Sequence, residues 1–261
     1  MNPYLIDGPA VISFSGGRTS AYMLYQILQA YKGKLPDDLV VCFANTGKEM
    51  PQTLDFVQAC SENWNVKIHW LELRVVNKKF TTVEVDYKTA SRDGRPFAEM
   101  IEKKNYLPNA IARFCTSELK VNRISEFVGD GYSTILGIRA DEERRLAKMR
   151  KRPEVIVPLA DAKVTKHDVY KFWTSNSFDL QLPNEKGVNN LGNCDLCFLK
   201  GTGIKKSIIR DMPELAGWWI TQEEKIGGKF RNDQPDYKSM LIATDAQTNM
   251  FDETIPCFCG D

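Results

Sequence analysis

The stretch AVISFSGGRTSAYMLYQIL, Ala10–Leu28, contains two different hydrophobic patterns separated by a polar turn. Ala10–Phe14 is a short apolar run with β-branched residues, which is typical of a buried parallel strand. From Thr19 onward the apolar residues recur at the spacing of an amphipathic helix. The stretch therefore predicts a strand, a tight turn and a helix, in that order.

The turn SGGRTS, Ser15–Ser20, has the composition of an anion site. A helix N-terminus leaves backbone N–H groups unpaired and carries a partial positive charge. The two glycines allow the backbone to approach a bulky anion closely, and the hydroxyls of Ser15, Thr19 and Ser20 add hydrogen-bond donors. The turn matches neither G-x-x-x-x-G-K-[ST] nor G-x-G-x-x-G. A phosphate site and an ordinary capped strand-to-helix turn are therefore both open at this point.

The composition is that of an ordinary globular protein. Of 261 residues, 43% are hydrophobic and 26% are charged, and 35 Lys and Arg residues against 34 Asp and Glu residues leave a net charge of +1. This balance gives no sign of a nucleic-acid or membrane partner. The start of the chain has no basic segment followed by a long apolar one, and no run approaches the roughly 18 apolar residues of a transmembrane helix. We expect a cytoplasmic protein with no membrane partner, whose seven cysteines are reduced or metal-bound.

Strand-like and helix-like segments alternate over the first 180 residues. Strands are predicted within 38–47, 67–73, 132–138 and 154–159, and helices within 49–64, 116–128 and 165–173. The polar section Arg74–Arg95 is expected to be a mobile insertion. Such alternation predicts an α/β fold with a parallel twisted sheet and helices on both faces. We expect this domain to span residues 1–180, and residues 181–261 to form a cysteine-containing section of loops and helices packed on it.

Three of the predicted strands end in unusual polar turns. Ligands of open α/β sheets bind beyond the carboxyl ends of the strands. There this chain has Ser15–Ser20, the turn Asn45, Thr46, Gly47, and the segment LGIRADEERR with Arg139. The Asn-Thr-Gly turn suits a base or sugar, and Arg139 suits a phosphate. The alternative for RADEERR is a solvated, charged start of a helix.

Five segments occur in the order and spacing of the PP-loop family that contains phosphoadenylylsulfate (PAPS) reductases and related ATP pyrophosphatases. They are FSGGRTS, ANTGKEMPQTLDFV, RFCTSELKVNRI, LGIRADEERR and VPLADAKVTKHDVYKF. This resemblance, over about residues 10–200, implies the adenine nucleotide alpha hydrolase-like fold and a site for ATP or another adenylyl nucleotide. The binding residues that it implies are Ser15, Gly16, Gly17, Arg18, Thr19, Ser20, Asn45, Thr46, Gly47 and Arg139. Pyrophosphatase members usually carry Asp in place of Thr19, which leaves a role for magnesium open.

The cysteine spacing indicates a metal site. Cys194 and Cys197 form a C-x-x-C pair, and Cys115 lies in FCTSELK, near the place where iron–sulfur members of the family carry cluster cysteines. A cubane cluster needs four thiolates, and the tail PCFCGD offers Cys257 and Cys259. The predicted ligands of a 4Fe-4S cluster are Cys115, Cys194, Cys197 and Cys257, with Cys259 as the alternative fourth ligand. Structural zinc on the same ligands and free thiols stay open.

Three functions remain in competition. The favoured one is an ATP pyrophosphatase-type or adenylyltransferase-type enzyme that couples an adenylyl nucleotide to sulfur chemistry through the cluster. In that reaction the loop N–H groups and Arg139 stabilise charge on the leaving phosphates. The second is a sulfonucleotide reductase with Cys259 as its nucleophile, although the tail lacks the Glu and His of the motif that PAPS reductases share. The third is a nonenzymatic module that binds a nucleotide or nucleic acid.

Two basic stretches bear on the partner. Arg144–Arg152 holds six basic residues and no acidic one, and KKSIIR follows the C-x-x-C pair. Such stretches are either solvated faces or contacts to a polyanion. PP-loop enzymes of DNA phosphorothioation and tRNA thiolation combine ATP-driven activation with iron–sulfur chemistry. By that resemblance the expected partners are a nucleotide substrate and either a nucleic-acid substrate or a sulfur-donor protein.

Overall fold

The computed structural model describes residues 2–243, so Cys257 and Cys259 lie outside the described residues. Its strands are β1 Ala10–Ser13, β2 Leu39–Ala44, β3 His69–Val76, β4 Lys79–Val85, β5 Ser133–Ile135 and β6 Val155–Ile156. They form one six-stranded sheet in the order β4-β3-β2-β1-β5-β6. All neighbouring pairs are parallel except β3 and β4, which are antiparallel.

The helices alternate with the strands and continue beyond them. They are α1 Arg18–Ala30, α2 Pro51–Trp64, α3 Arg95–Lys104, α4 Phe114–Thr116, α5 Asn122–Val128, α6 Glu143–Met149, α7 Pro158–Asp161, α8 Lys166–Ser175, α9 Thr202–Asp211, α10 Ala216–Ile226 and α11 Tyr237–Ile242. A π-helical turn, Ser117–Val121, joins α4 to α5 in one helical run. A capping box of Thr165 and Asp168 begins α8.

Helices cover both faces of the sheet, as the sequence predicts. Successive residues of a strand point to opposite sides. On one side Ile12, Phe43 and Trp70 pack in a core that includes residues of α1, α2 and α8. On the other side Val11 packs with Ile124 of α5. The α/β class with a mostly parallel sheet is therefore confirmed.

The central strand β1 marks the place where a ligand is expected. From β1 the chain builds β2, β3 and β4 on one side, and later adds β5 and β6 on the other. At such a reversal the connections leave in opposite directions and open a crevice beyond the carboxyl ends of the strands. The turn after β1, Ser15–Gly17, and the turn after β5, Gly137–Arg139, both follow these carboxyl ends.

The expected mobile insertion over Arg74–Arg95 is wrong. Most of this section is the antiparallel hairpin of β3 and β4 followed by a turn tied to a buried carboxylate. Glu72, which is fully buried, accepts hydrogen bonds from the Ser91 N–H at 2.6 Å and from the Asn45 amide at 2.6 Å, and it pairs with Arg74 at 2.5 Å. The polar composition reflects an edge strand and a solvated turn, while Glu72 fixes the backbone.

A second core lies beside the sheet and supports the loop that carries the C-x-x-C pair. It joins Leu196 and Phe198 of that loop to Trp219 of α10, Tyr237 of α11 and Phe97 of α3.

The predicted division into two parts near residue 180 stays a prediction. Between residues 2 and 243, the structure has no helix with the length and apolarity needed to cross a bilayer, and cytoplasmic localisation also stays a prediction.

Candidate functional site: the Ser15–Ser20 turn beside three cysteines

The turn after β1 requires glycine at its first glycine position. Gly16 has a φ of +79°, in the left-handed region that favours glycine. A Cβ at this position would lie 2.8 Å from Thr53 Cγ2 and 3.1 Å from Phe43 Cε2. The next residue, Gly17, is the N-cap of α1, so the unpaired N–H groups of the first helical turn follow it directly. The backbone at this turn is therefore suited to hold an anion at the crevice.

Two of the predicted hydroxyl donors hold the loop together. The Ser15 and Ser20 hydroxyls are 2.9 Å apart, and the Ser20 hydroxyl also donates to the Gly17 carbonyl at 3.0 Å. The Ser15 backbone N–H donates to the Ser20 hydroxyl at 3.2 Å. These bonds close the turn on itself, so the Ser20 side chain acts on the shape of the loop.

Arg139 and Thr19 are brought together although 120 residues separate them in the chain. The Arg139 Nη1 donates to the Thr19 hydroxyl at 3.0 Å. Asp141 accepts from the Arg139 Nε at 3.0 Å, and Glu142 accepts from the Arg139 backbone N–H at 2.9 Å. The guanidinium is thus aimed at the start of α1, where an anion would be held.

The Arg18 side chain is committed away from the loop. Its Nε and Nη2 donate to the two carboxylate oxygens of Asp179, each at 2.7 Å, and Nη2 also donates to the Leu182 carbonyl at 2.8 Å. A bidentate pair of this kind fixes the guanidinium plane. An anion at this turn would therefore meet Arg18 through its backbone N–H, which belongs to the first turn of α1.

A cavity of about 240 Å³ lies over this loop. The predicted residues Ser15, Gly16, Gly17, Arg18, Thr19 and Arg139 line it. Lys120 and Lys166 add two further cationic side chains to its wall, whereas Glu49 is the one carboxylate among its lining residues in the described chain. Cationic groups around a helix N-terminus make the cavity suited to a phosphorylated ligand.

The Asn-Thr-Gly turn after β2 lies outside the described lining of the cavity over Ser15–Ser20. The Asn45 amide nitrogen donates to Glu72 and to the Ser91 carbonyl, and the Asn45 carbonyl oxygen accepts from the Gly47 N–H at 3.1 Å. Thr46 instead contacts the second predicted site, because its hydroxyl lies 3.5 Å from the Cys194 Sγ. The role of this turn towards a nucleoside stays a prediction.

Cys115, Cys194 and Cys197 line one small cavity. Its wall is mainly apolar, with Phe97 and Leu119 among its side chains. Cys115 belongs to α4, directly before the π-helical turn, and π-turns are frequent at functional sites. The structure therefore brings together three cysteines from two distant segments of the chain.

The segment with Cys194 is strapped to the loop after β2. Cys194 forms a β-bridge with Glu49, and the Asp195 N–H donates to the Lys48 carbonyl at 2.8 Å. Lys48 and Asp195, both buried, form an ion pair at 2.8 Å. The Lys200 ammonium donates to the carbonyls of Cys194 and Asp195 at 2.6 and 3.0 Å. The position of the C-x-x-C loop is thus determined by buried charges.

The electrostatics around Cys194 are mixed. Burial raises the pKa of the Cys194 thiol well above its usual range, and the Glu49 carboxylate raises this pKa further. Lys120 and the Thr46 hydroxyl act in the opposite direction, because they favour the thiolate. The Lys120 Nζ lies 4.0 Å from the Glu49 Oε1. Lys120 lines both the cavity of the three cysteines and the cavity over Ser15–Ser20.

The donor set fits a soft metal or an iron–sulfur cluster. Thiolates are the preferred ligands of both, and an apolar wall is a suitable surrounding. Within residues 2–243, however, no three Cys, His, Asp or Glu side chains are grouped closely enough to hold one metal ion. The fourth predicted ligand, Cys257 or Cys259, lies outside the described residues. The metal site therefore stays a prediction.

Residues 9–194 match the model of the phosphoadenosine phosphosulfate reductase domain. The chain belongs to this family. The predicted family is thereby confirmed, and membership supports a nucleotide-binding function of the PP-loop type. It also suggests enzymatic activity, without fixing which reaction is catalysed.

One phage protein and two archaeal proteins are similar in sequence to this chain. The uncharacterized nin region protein ORF290 of Escherichia phage lambda is 34% identical over 203 residues, which cover 74% of this chain and 66% of that protein. Two uncharacterized proteins of Methanocaldococcus jannaschii, MJ0066 and MJ0973, are each 25% identical over 82% of this chain and over 41% and 47% of their own lengths. The chain thus spans less than two thirds of the length of the relatives it matches.

Several residues that line the cavity over Ser15–Ser20 carry no clear signal in the sequence. Lys120 and Lys166 stand in the segments FCTSELK and TKHDVYKF, whose predicted roles rest on other residues. A lysine on one face of a predicted helix carries no signal of its own until the helix is placed. Asn184, Asn189 and Asn193 belong to a stretch that sequence alone marks as a loop.

Proposed function

We propose that this protein is an enzyme that binds ATP or another adenylyl nucleotide at Ser15–Ser20 and couples it to sulfur chemistry at the neighbouring cysteines. One observation carries the proposal. Lys120 and Asn193 line both the cavity over the nucleotide loop and the cavity of Cys115, Cys194 and Cys197. A phosphate group held at the loop would therefore have the cysteine site as its neighbour across a single layer of side chains.

The nucleotide's phosphates would be held by backbone and cationic groups together. The loop supplies the N–H groups at the start of α1, and Arg139, Lys120 and Lys166 supply charge from other walls of the cavity. Preorganised donors aimed at developing charge are worth more in a site closed to water than in solution. Magnesium stays a prediction, with Glu49 as the carboxylate that the described lining offers.

A 4Fe-4S cluster would be held by Cys115, Cys194, Cys197 and Cys257, with Cys259 as the alternative fourth ligand and zinc as the alternative metal. When bound, such a cluster supplies electrons or a Lewis-acidic iron next to the nucleotide site. The chain's own part is to present thiolates from α4 and from the C-x-x-C loop. The Lys200 bonds to the carbonyls of this loop would keep those sulfurs in place.

In the ATP reaction an acceptor oxygen attacks the α-phosphorus of ATP. The bond from that phosphorus to the bridging oxygen breaks, pyrophosphate leaves, and a sulfur donor then displaces AMP from the acceptor. Arg139 would stabilise charge on the phosphates as the bond breaks, since its guanidinium already reaches Thr19. The acceptor and the sulfur donor, whether nucleic acid or protein, stay predictions. In the basic stretch Arg144–Arg152, Arg145, Arg150 and Arg152 are each paired with an acidic neighbour.

The family match favours one second candidate, a sulfonucleotide reductase. In that reaction the Cys259 thiolate would attack the sulfur of the sulfonucleotide, and the bond from sulfur to the phosphate oxygen would break. Adenosine bisphosphate leaves, and a second thiol then releases sulfite and forms a disulfide. Arg139 and the loop would hold the departing phosphate in the same way.

The two reactions are separated by their products. Anaerobically purified protein is assayed for exchange of labelled pyrophosphate into ATP with candidate acceptors, and for sulfite released from PAPS. Exchange without sulfite supports adenylyl transfer, whereas sulfite that is lost in Cys259→Ser supports the reductase. Arg139→Gln should lower either rate by about 10²-fold. Arg95→Gln, an exposed change on α3 outside the cavity lining and outside both basic stretches, is the matched control. If the wild-type protein forms neither product with any acceptor, that result contradicts the proposed enzyme activity.

A further inference from the structure

One segment, residues 184–193, supplies a large share of the wall of the nucleotide cavity; we call it the amide loop. Its lining residues are Asn184, Gly187, Val188, Asn189, Gly192 and Asn193. Val169 and Tyr170 of α8 and Leu180 also line the cavity. The cavity therefore has an anion-binding part at the turn after β1, an apolar part, and a part rich in carboxamides.

Cationic side chains hold both ends of the amide loop. At its start, Arg18 donates to the carbonyls of Leu182 and Pro183 at 2.8 and 3.3 Å while it pairs with Asp179. At its end, the Lys200 ammonium donates to the Gly192 carbonyl at 3.0 Å. Arg18 directly follows the two glycines of the turn after β1. The residue next to the phosphate-binding turn thus also fixes the root of the amide loop.

The middle of the loop is fitted closely to α8. Gly187 has a φ of +84°, and a Cβ there would lie 2.7 Å from Lys166 Cγ. Because glycine alone adopts this conformation without strain, the loop backbone can lie against Lys166. This contact brings the amide loop next to the cationic group on the same wall of the cavity.

Two carboxamides of this loop, those of Asn184 and Asn189, have donors or acceptors to offer a ligand, whereas the Asn45 carboxamide is engaged within the protein. Asn45 uses its amide nitrogen and its carbonyl oxygen within the protein. The Asn189 carbonyl oxygen accepts from the Leu191 N–H at 2.9 Å, which leaves its NH₂ group as a donor. Within residues 2–243 the Asn184 side chain makes no hydrogen bond, and it offers both a donor and an acceptor.

We propose that Asn184 and Asn189 of the amide loop determine the preference of the nucleotide site for adenosine over other nucleosides. The inference rests on the nucleotide site of the proposed function. The base lies between the apolar residues Val169, Tyr170 and Leu180 and the amide loop. The Asn184 carboxamide pairs with the adjacent donor and acceptor on the edge of adenine, a match that Asn makes bidentately. Asn189 donates its NH₂ group to the ribose or the base.

The proposal separates two parts of one ligand, and inorganic pyrophosphate provides a probe for only one of them. Pyrophosphate carries the anionic groups and no nucleoside. Loss of the amide-loop carboxamides should therefore weaken ATP binding and leave pyrophosphate binding unchanged. Loss of the anion site should weaken both.

The test is calorimetric titration of the full-length protein with ATP, GTP and inorganic pyrophosphate. The double variant Asn184→Ala, Asn189→Ala is expected to bind ATP at least about tenfold more weakly and to lose preference for ATP over GTP, because buried hydrogen-bonding groups discriminate strongly. Its pyrophosphate affinity should equal that of the wild type, which also shows that the site is folded. Asn190→Ala, an exposed change in the same loop and outside the cavity lining, is the matched control.

If the wild-type protein binds both ATP and pyrophosphate, two results would overturn this inference and leave the proposed function standing. One is a double variant with unchanged ATP affinity and unchanged preference over GTP. The other is a double variant that loses ATP and pyrophosphate equally, since the loop would then act only on the shape of the site. Wild-type protein that binds neither ligand contradicts the nucleotide site itself, and with it the proposed function.

Discussion

Replacing Gly17 by aspartate should separate nucleotide binding from folding. Gly17 is the N-cap of α1 and lines the cavity over the loop. Its backbone is extended, with φ −98° and ψ 165°, a conformation that any residue adopts. No side chain caps this helix, and its first turn has no acidic residue. An aspartate therefore fits the backbone, and its carboxylate would occupy the place of the bound anion.

The structure sets the size of both effects. Aspartate is a favourable N-cap, so the free energy of unfolding should stay within about 1 kcal/mol of the wild-type value or rise. A carboxylate about 4 Å from a phosphate near a protein surface is repelled by about 4 kcal/mol. Affinity for a nucleotide should therefore fall on the order of 10²- to 10³-fold.

The assay is calorimetry with ATP and with adenosine 3′,5′-bisphosphate, together with urea unfolding of the same preparations. Gly17→Asn is the matched control, because asparagine has the same shape and capping ability without the charge. Only the aspartate variant should lose affinity to this extent. Equal affinities of the two variants and the wild type would refute the reasoning, because the turn would then have no part in anion binding.

Two further predictions concern the buried charges and thiols. Asp179→Asn should lower the free energy of unfolding by about 1–3 kcal/mol, because the Arg18 guanidinium, which is 9% exposed, loses its charged partner. Urea unfolding of the variant measures this loss. A variant as stable as the wild type would show that the ion pair is dispensable. Burial raises the pKa of Cys42 to about 12 and also raises that of Cys60. Neither thiol should react with iodoacetamide at pH 8 in the folded protein, as read by mass spectrometry. In the unfolded chain both thiols have a pKa of about 8.5, so their contribution to the free energy of unfolding should decrease as the pH rises from about 9 to 12. Labelling of either residue in the folded protein would contradict its burial.

The strand, turn and helix at Ala10–Leu28 were predictable because their signals are local. A short apolar run with β-branched residues that changes to a period of 3.6 across two glycines specifies the elements and the turn between them. The hairpin of β3 and β4 was missed for the opposite reason. Its second strand is polar and lies at the edge of the sheet, and the buried Glu72 that fixes the following turn looks in sequence like any surface glutamate.

The direction of individual side chains in the site depends on contacts between distant parts of the chain. The resemblance implied that Arg18 binds a phosphate, yet its guanidinium is held by Asp179, 161 residues away. The amide loop lines the cavity only because Arg18 and Lys200 hold its two ends. By contrast, the sequence places both Arg139 and the turn after β1 beyond the carboxyl ends of strands. The structure shows that these two strands are neighbours and that Arg139 reaches Thr19.

Iron and sulfide analysis of anaerobically purified protein tests the coupling to sulfur chemistry most directly. The expected preparation is brown, with about four iron and four sulfide ions per chain. Cys194→Ser and Cys197→Ser should lose the iron, and Cys60→Ser, a buried cysteine in α2, should retain it. A colourless wild-type protein with one zinc ion, or with no metal, would contradict the iron–sulfur site and leave the family and the fold unchanged.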